Sequence, residues 1–240
     1  YQSVTGLINS AESLSIHDPG GYFMDTFEKV LEVSGIEVTG GARVETTVRT
    51  WEDGLLDLLL EYESPALSVL LAEMNQESSN FISEMLVKTL AAERSGEPGT
   101  TEAGVQWIRN RLSEMGLDTA RIRLNDASGL AAGNLVSADE LNRFLVIMRN
   151  HPHAEAYLAS LSVNGRSGTL KNRLRDAGME GVFRGKTGYV SGVRTLSGYL
   201  STRGGGELAV TVATNHFIGR VSEIDTIHHA ILRLLHERFP

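Results

Sequence analysis

Apolar residues recur every three or four positions in several stretches of the chain, which predicts amphipathic helices. One such stretch runs from Tyr22 to Val33. Two more, Pro65 to Met74 and Asn80 to Arg94, are separated by the polar segment 76–79. Ser64 stands directly before Pro65, and a serine followed by proline is typical of a helix start, so Ser64 is the expected N-cap. We therefore predict two helices joined by a polar kink, which presents polar side chains to a cleft.

Further stretches of helical spacing follow along the chain. The clearest start signal is Ser137 with Glu140 three residues later, the spacing of a capping box, in which the two side chains bond to each other's backbone N–H groups. The predicted helices are Thr100–Leu112, Ser137–Asn150, His153–Leu161, Thr169–Ala177 and Gly219–Phe239.

Other stretches alternate apolar and polar residues or are rich in β-branched residues, which predicts strands. The predicted strands are 44–50, 121–124, 182–190, 193–201 and 207–214. The last two flank the glycine run Arg203 to Gly206 and form a predicted hairpin, and a glycine-rich loop covers Asn125 to Leu135. This mixture of helices and strands indicates a mixed α/β protein of the α+β type.

Composition narrows the class of protein further. The chain has 240 residues, of which 41% are hydrophobic and 22% are charged, so it can bury a core. Its formal net charge is −8, so the chain as a whole does not attract nucleic acid or anionic lipid electrostatically. The absence of cysteine excludes disulfides, thiolate zinc sites and a cysteine nucleophile. No apolar run reaches the length of a membrane span, about 18 residues.

Lys186-Thr187-Gly188 lies inside a predicted strand, and these residue types are suited to binding a carboxylate. The ammonium supplies charge, the threonine hydroxyl supplies a short donor, and Gly188 leaves room for a substrate along the strand edge. The same residues also fit a strand that simply ends in a turn. A phosphate-binding loop is excluded, because its first glycine would fall at position 180, which is occupied by Glu180.

Ser78-Ser79-Asn80 lies at the predicted kink, where it also fits an ordinary helix N-cap. Its significance comes from the short motifs that follow it along the chain. These are Asp126-Ala127-Ser128-Gly129-Leu130, Gly168-Thr169-Leu170 and Lys186-Thr187-Gly188, after which come the hairpin and the long last helix. Each motif is weak alone, but the order and spacing together are fairly specific.

In this order the motifs resemble the C-terminal half of the class C low-molecular-mass penicillin-binding proteins, the D-Ala-D-Ala carboxypeptidase/endopeptidases. Met74 to Asn80 is similar to the second penicillin-recognition motif of that family, and Lys186-Thr187-Gly188 matches the third. The resemblance implies the C-terminal portion of a penicillin-binding-protein/β-lactamase-like transpeptidase fold, an antiparallel sheet flanked by helices. It also implies that residues 1–45 are the remnant of an inserted domain and that residues 46–240 belong to the transpeptidase-like domain.

The resemblance further implies roles in catalysis. Ser78 would relay a proton between a lysine pair and the leaving amine, because a serine nucleophile needs an adjacent base. Asn80 would hold the substrate amide. Lys186 would bind the terminal carboxylate of the peptide. No cofactor or metal is implied, and the histidines of the chain form no zinc-binding pattern.

Substrate binding by resemblance involves Thr187, Gly188, Tyr189 and Ser128. Thr187 would hydrogen-bond the carboxylate, and the backbone N–H of Tyr189 would be one donor of the oxyanion hole. Family members often have threonine or serine where Tyr189 stands, so a hydroxyl contact from that position is in doubt. Ser128 is a candidate substrate contact, and together with Asp126 it is expected to shape the loop behind the site.

The family's acylated serine lies in a Ser-x-x-Lys motif, in which the lysine is the candidate base. This sequence contains no such motif, because the residues three positions before its lysines are Thr26, Met85, Gly168 and Phe183. We therefore expect a C-terminal fragment that lacks the nucleophile and is inactive alone. The alternative is a relative that has lost the nucleophile.

By resemblance, the expected partners are peptidoglycan stem peptides and β-lactams, and the expected location is periplasmic or otherwise extracytoplasmic. The family's sheet takes strands from both ends of the chain, so an exposed sheet face or edge is expected, covered by the missing N-terminal segment or a swapped copy of the chain. No nucleic-acid partner and no membrane span are expected. Two other functions stay open, a catalytically inactive binding or scaffold module and half of a serine β-lactamase or esterase.

Overall fold

The structure is a computed structural model, and it describes residues 16–41, 61–176 and 178–239. The chain divides into two compact units, Tyr1–Glu63 and Ser64–Pro240. The predicted domain boundary between residues 45 and 46 and the predicted strand 44–50 lie outside the described residues.

In the first unit, the described residues form the helix α1 (Pro19–Val33). The helix begins at Pro19 rather than at the predicted Tyr22, and the Asp18 side chain accepts a hydrogen bond from the Gly21 backbone N–H at 2.9 Å. Proline suits this position because the first N–H groups of a helix have no partner within it.

The helices of the second unit follow the sequence predictions closely, with two corrections. They are α2 (Leu67–Glu77), α3 (Asn80–Ser95), α4 (Thr101–Glu114), α5 (Ala138–Arg149), α6 (Ala154–Ser160) and α7 (Val221–Arg238). The first correction is the start of α2, where Ala66 is the N-cap and makes no side-chain cap bond, so that Ser64 and Pro65 precede the helix. The fixed φ of proline suits the extended approach to a helix as well as its first turn.

The second correction concerns the predicted helix Thr169–Ala177, which is wrong. The structure has a short 3-10 turn at Gly168–Leu170, followed by irregular backbone. Leu174 has a φ of 50°, which a right-handed helix does not contain. Its carbonyl accepts a hydrogen bond from Asn164 Nδ2 at 2.9 Å, so a tertiary contact takes the acceptor that a helix would have used.

The strands of the second unit form one small and one larger sheet. Strands β1 (Ile122–Arg123) and β2 (Leu135–Val136) pair across the glycine-rich loop. The larger sheet is antiparallel, with the order β3 (Ser162–Val163), β4 (Phe183–Val190), β5 (Val193–Ser201) and β6 (Glu207–Asn215). The predicted hairpin of β5 and β6 is confirmed, and their register runs from Val193 opposite Asn215 to Ser201 opposite Glu207.

Helices cover both faces of the larger sheet. On one face, Leu196 and Leu200 of β5 share a core with Leu232 of α7. On the other face, Tyr199 of β5 packs with Leu145 of α5. Successive side chains of a strand point to opposite faces, so one strand supplies both cores. The α+β class and the antiparallel sheet flanked by helices are thereby confirmed.

Asn164 fixes the loop that leads into β4. Its side chain is fully buried, and Nδ2 donates to the carbonyl groups of Leu174 at 2.9 Å and Met179 at 2.6 Å. Its Oδ1 accepts from the Phe183 backbone N–H at 2.7 Å. One amide therefore joins three separate points of the loop and holds the first residue of β4.

Two stretches of strand edge have no strand beside them in the described part of the chain. Strand β6 pairs only with β5. Strand β3 pairs only with Arg184 and Gly185 of β4, which leaves the outer edge of β4 from Lys186 to Val190 without a neighbouring strand. Unpaired edges accept additional strands or extended peptides, and the second one runs along the Lys-Thr-Gly motif.

Candidate active site

Ser78 and Lys186 are 108 positions apart in the sequence and in direct contact in the structure. Lys186 Nζ donates a hydrogen bond to Ser78 Oγ at 2.7 Å and another to the Thr187 carbonyl at 3.1 Å. Ser78 lies between α2 and α3, whereas Lys186 lies in β4. The helical kink and the Lys-Thr-Gly strand therefore meet at one pair of side chains.

Ser78 has a left-handed backbone conformation, with a φ of 58° and a ψ of 45°. For a residue other than glycine this conformation costs about 1–2 kcal/mol. This left-handed residue ends α2 at Glu77 and turns the chain, so that α3 begins at Asn80. Ser78 therefore lies at the corner between the two helices. Strained residues of this kind cluster at functional sites, where the surrounding structure holds them in place.

The end of α2 is held against α6 by the residues that precede Ser78. Asn75 Nδ2 donates to Ser160 Oγ at 2.8 Å, and Gln76 Nε2 donates to the Ala159 carbonyl at 3.3 Å. The Ser160 hydroxyl in turn donates to the Tyr157 carbonyl at 2.7 Å. These bonds place the corner at a fixed distance from the sheet, because α6 leads directly into β3.

Burial lowers the pKa of the Lys186 ammonium below its ordinary value. No carboxylate of the described residues forms an ion pair with this ammonium, whose hydrogen bonds go to a hydroxyl and a carbonyl. Such a lysine binds an incoming anion and also gives up its proton more readily than an exposed one. Both properties suit a group placed between a substrate carboxylate and a proton-relaying hydroxyl.

The remaining motif residues of β4 surround this contact. Thr187 Oγ1 donates to Thr169 Oγ1 at 2.9 Å. Gly188 faces Thr195 of β5, and a Cβ added to it would lie 2.3 Å from the Thr195 hydroxyl, so a larger residue would force that hydroxyl to rotate away. The Tyr189 ring is exposed and lies under the Arg194 guanidinium, 5.7 Å from its centroid. A role for the Tyr189 backbone N–H in an oxyanion hole stays a prediction.

Asn80 is the first residue of α3, two positions after Ser78, and it is exposed. Its side-chain amide has no hydrogen-bond partner within the part of the chain that the structure describes, so it is free to contact a ligand. Its role stays a prediction as well. Within residues 16–41, 61–176 and 178–239, no three histidine, aspartate or glutamate side chains are grouped to hold a metal ion.

The structure ties Ser128 to the loop rather than to the Ser78–Lys186 pair. The backbone N–H groups of Ala127 and Ser128 both donate to Glu84 Oε1 of α3, at 2.9 and 2.8 Å. Asp126 accepts from the backbone N–H groups of Gly129 and Ala131 at 2.8 and 2.6 Å. This agrees with the expectation that Asp126 and Ser128 shape the loop, and a substrate contact of Ser128 stays a prediction.

The chain matches a protein family along nearly its whole length. The model of the D-Ala-D-Ala carboxypeptidase 3 (S13) family covers residues 4–237. The chain belongs to this family. The D-alanyl-D-alanine carboxypeptidase of Actinomadura sp. (strain R39) is 38% identical over 210 residues, which make up 85% of this chain and 38% of that protein. Carboxypeptidase DacB of Mycolicibacterium smegmatis is 32% identical over 164 residues, 66% of this chain and 35% of that protein. The S13 chain thus spans well under half the length of these relatives.

Solved structures show the same fold. Penicillin-binding protein 4 of Haemophilus influenzae, complexed with a β-lactam, aligns with a TM-score of 0.82 over 93% of the S13 chain and 53% of its own length. A class A β-lactamase of Bacteroides cellulosilyticus aligns with a TM-score of 0.54 over 71% of the chain. The sequence identities are 20% and 16%, so these likenesses concern the fold alone. The prediction of a penicillin-binding-protein/β-lactamase-like fold is confirmed.

The loop of the S13 chain that carries Asp126 and Ser128 depends on two ionised carboxylates. Burial opposes the charge of Glu84, but hydrogen bonds from Ser128, Ala127 and Thr101 outweigh it and hold the pKa of Glu84 below its usual value. Burial likewise opposes the charge of Asp126, and bonds from Asn134, Ala131, Gly129 and Ser128 hold its pKa low. A lowered pKa means that the folded state favours the charged form, so both groups stabilise the loop above the pKa of the unfolded chain.

We therefore expect the S13 chain to lose stability as the pH falls below about 4, the ordinary range of carboxyl groups. Glu84→Gln is expected to lower the free energy of unfolding at pH 7 by about 1–2 kcal/mol, because two N–H groups lose a charged acceptor. It is also expected to flatten the loss of stability in acid. Urea denaturation at pH 7 and pH 3 measures both effects.

Glu180→Gln is the matched control, since Glu180 forms only an exposed ion pair with Arg166 at 3.6 Å. Its stability at pH 7 is expected to change by less than about 0.5 kcal/mol. An acid dependence in Glu84→Gln identical to that of the unmodified chain would contradict the role of Glu84.

Sequence reasoning missed three residues that build the site of the S13 chain. Glu84 binds the loop from α3, Asn164 holds the start of β4, and Thr169 contacts Thr187. Thr169 carried a signal, because it lies in one of the short motifs. Glu84 and Asn164 carried none, because their partners lie 10 to 44 positions away and are mostly backbone groups, which any sequence supplies.

Proposed function

We propose that this chain forms the substrate-binding half of a serine-type D-Ala-D-Ala carboxypeptidase/endopeptidase, which cleaves peptidoglycan peptides through an acyl-enzyme. The observation that carries the proposal is the 2.7 Å hydrogen bond between Lys186 Nζ and Ser78 Oγ. It joins the two motifs that, in the resemblance, line one active site. Membership of the S13 family and the names of the relatives, which are carboxypeptidases, support the same activity.

In the proposed reaction, Lys186 attracts the terminal carboxylate of the peptide to the open edge of β4. Ser78 Oγ passes a proton towards the leaving D-Ala amine, and the neighbouring ammonium keeps the hydroxyl oriented and favours its release of the proton. Asn80, with its free side-chain amide, holds an amide of the substrate beside the scissile bond. Tyr189 supplies one backbone N–H to the oxyanion that forms when the carbonyl is attacked.

The attacking serine is proposed to come from a segment outside these 240 residues. The sequence contains no Ser-x-x-Lys, and the chain corresponds to 38% and 35% of the lengths of its relatives. The outer edge of β6, on the side away from β5, has no strand beside it among the described residues. This edge is the proposed docking place for that segment. A second copy of the chain is the alternative occupant of this edge, and sedimentation distinguishes the two, because a copy doubles the mass.

We expect the 240-residue chain alone to form no covalent adduct with a labelled penicillin. Acylation needs a nucleophilic serine with an adjacent base, and no serine of this sequence has a lysine three residues later. The measurement is denaturing electrophoresis after incubation with the labelled penicillin. The same chain produced together with its Ser-x-x-Lys segment is expected to carry the label.

Different results favour different functions. A labelled band from the 240-residue chain alone would contradict the proposed source of the nucleophile. A reconstituted protein that binds the peptide but neither hydrolyses it nor retains the label would support a catalytically inactive binding module. Rapid turnover of the penicillin without a lasting adduct would support a serine β-lactamase.

The proposed place of action follows from the proposed substrate. Peptidoglycan lies outside the cytoplasmic membrane, so a protein that acts on its peptides works in the periplasm or another extracytoplasmic space. Among the described residues, no helix has both the length and the hydropathy that crossing a membrane requires. A structural neighbour from Haemophilus influenzae was solved with a β-lactam bound, which supports β-lactams as ligands of the same fold.

A further inference from the structure

Thr169 lies beside the Lys-Thr-Gly motif but belongs to none of the residues assigned a role so far. Its Oγ1 accepts a hydrogen bond from Thr187 Oγ1 at 2.9 Å. Thr169 is exposed and Thr187 is half-buried, so the pair lies at the surface of the site, next to Lys186. Together, the ammonium and the two hydroxyls line one short stretch of the edge of β4.

The backbone of the 3-10 turn holds Thr169 in this position. Gly168 has a φ of 55°, and a Cβ added to it would lie 2.2 Å from Ser162 Oγ and 2.7 Å from the Gln76 carbonyl. No larger residue fits there, because the turn packs directly on the end of α2. On the other side of Thr169, Leu170 is fully buried in the core. Because both Gly168 and Leu170 are fixed by packing, the exposed Thr169 hydroxyl between them is held in place.

Counting protons shows what this pair of hydroxyls offers to an anion. Each threonine hydroxyl has one proton to donate and two lone pairs to accept. The Thr187 proton is already used on Thr169, so the free donor of the pair is the Thr169 proton. If Thr187 turns its proton to a ligand, Thr169 can donate to the Thr187 oxygen in its place. In both arrangements the pair offers an anion one proton, from Thr169 in the first and from Thr187 in the second. An anion gains both protons when it takes the place of the bond between the two hydroxyls.

We propose that Thr169 is a third contact for the terminal carboxylate of the substrate, in addition to Lys186 and Thr187. This inference rests on the proposed function, because it assumes that the edge of β4 binds a peptide with a free carboxylate. A carboxylate has two oxygens and about four acceptor positions, which one ammonium and one hydroxyl do not fill. Thr169 therefore raises the preference for a free carboxylate over an uncharged chain end.

The test uses the 240-residue chain and two probes, a short peptide that ends in D-Ala-D-Ala and the same peptide with a C-terminal amide. Dissociation constants are measured by NMR titration of the Gly188 backbone amide. Thr169→Val is expected to reduce the preference for the carboxylate peptide about tenfold to 100-fold, the effect of one hydrogen bond to a charged group. Thr169→Ser keeps the hydroxyl and is expected to retain the preference.

Two control variants separate this inference from the proposed function. Lys186→Met is expected to abolish the preference for the carboxylate, and Thr226→Val, an exposed threonine of α7, is expected to change nothing. A normal preference in Thr169→Val, combined with its loss in Lys186→Met, would overturn the role of Thr169 only. A normal preference in Lys186→Met, or no binding by the unmodified chain, would overturn the proposed function and this inference together.

Discussion

Replacing Asn164 with leucine is expected to lower the free energy of unfolding by about 4 kcal/mol, since buried backbone groups left without partners cost about 1–3 kcal/mol each. The substitution removes the hydrogen bonds to the carbonyl groups of Leu174 and Met179 and to the Phe183 N–H. Leucine has as many side-chain heavy atoms as asparagine, branched at the same carbon, so the substitution removes the hydrogen bonds without leaving a cavity. Urea denaturation followed by far-UV circular dichroism measures it.

Asn150→Leu serves as the matched control for this substitution. Asn150 ends α5 and is exposed, and its Nδ2 donates to the Val146 carbonyl at 2.9 Å. Water replaces an exposed hydrogen bond of this kind, so the expected loss is below about 1 kcal/mol. If Asn164→Leu were no less stable than Asn150→Leu, the loop before β4 would not depend on the Asn164 amide.

The regular elements were predictable because their signals are local. The alternation along 193–201 and 207–214 and the glycine run between them are enough to predict the hairpin of β5 and β6. Ser137 was predicted to cap α5, and its side chain accepts the Glu140 N–H at 3.2 Å. A cap involves residues that are neighbours in the sequence, and therefore the sequence shows it directly.

The segment that follows β3 was not predictable, because tertiary contacts decide its conformation. Residues 169–177 carry a helical pattern of apolar side chains, among them Leu170 and Leu174, and both are buried as the pattern suggested. Their backbone is not helical, however, because Asn164 takes the Leu174 carbonyl and Gly168 packs on α2. Local propensity is a weak guide where a buried side chain competes for the same backbone groups.

The candidate site was predictable only through the order of its motifs. Nothing in the spacing of Ser78 and Lys186 shows that two side chains 108 positions apart will meet. The resemblance placed them in one site, and the structure brings their polar atoms to 2.7 Å. The resemblance did not supply the strained backbone of Ser78, because a left-handed serine leaves no mark in the sequence.

Lys186→Met is expected to slow acylation by a labelled penicillin about 100-fold to 10,000-fold, the usual contribution of a positioned proton-transfer group. The reaction is measured on the chain produced together with its Ser-x-x-Lys segment, as the rate of appearance of the covalent adduct. Methionine fills nearly the same space as the lysine stem, but it removes the ammonium that donates to Ser78 Oγ. The hydroxyl then loses the donor that orients it, and the β-lactam carboxylate loses its cation.

Ser78→Ala and the double variant show whether the two groups act as one unit. If the proton passes through the hydrogen bond between them, each single substitution interrupts the same path, and the double variant is expected to be little slower than the slower single one. Lys88→Met, which removes an exposed lysine of α3, is the control for the loss of one positive charge. Acylation of Lys186→Met at a rate within twofold of Lys88→Met would show that the contact between Ser78 and Lys186 has no part in the chemistry.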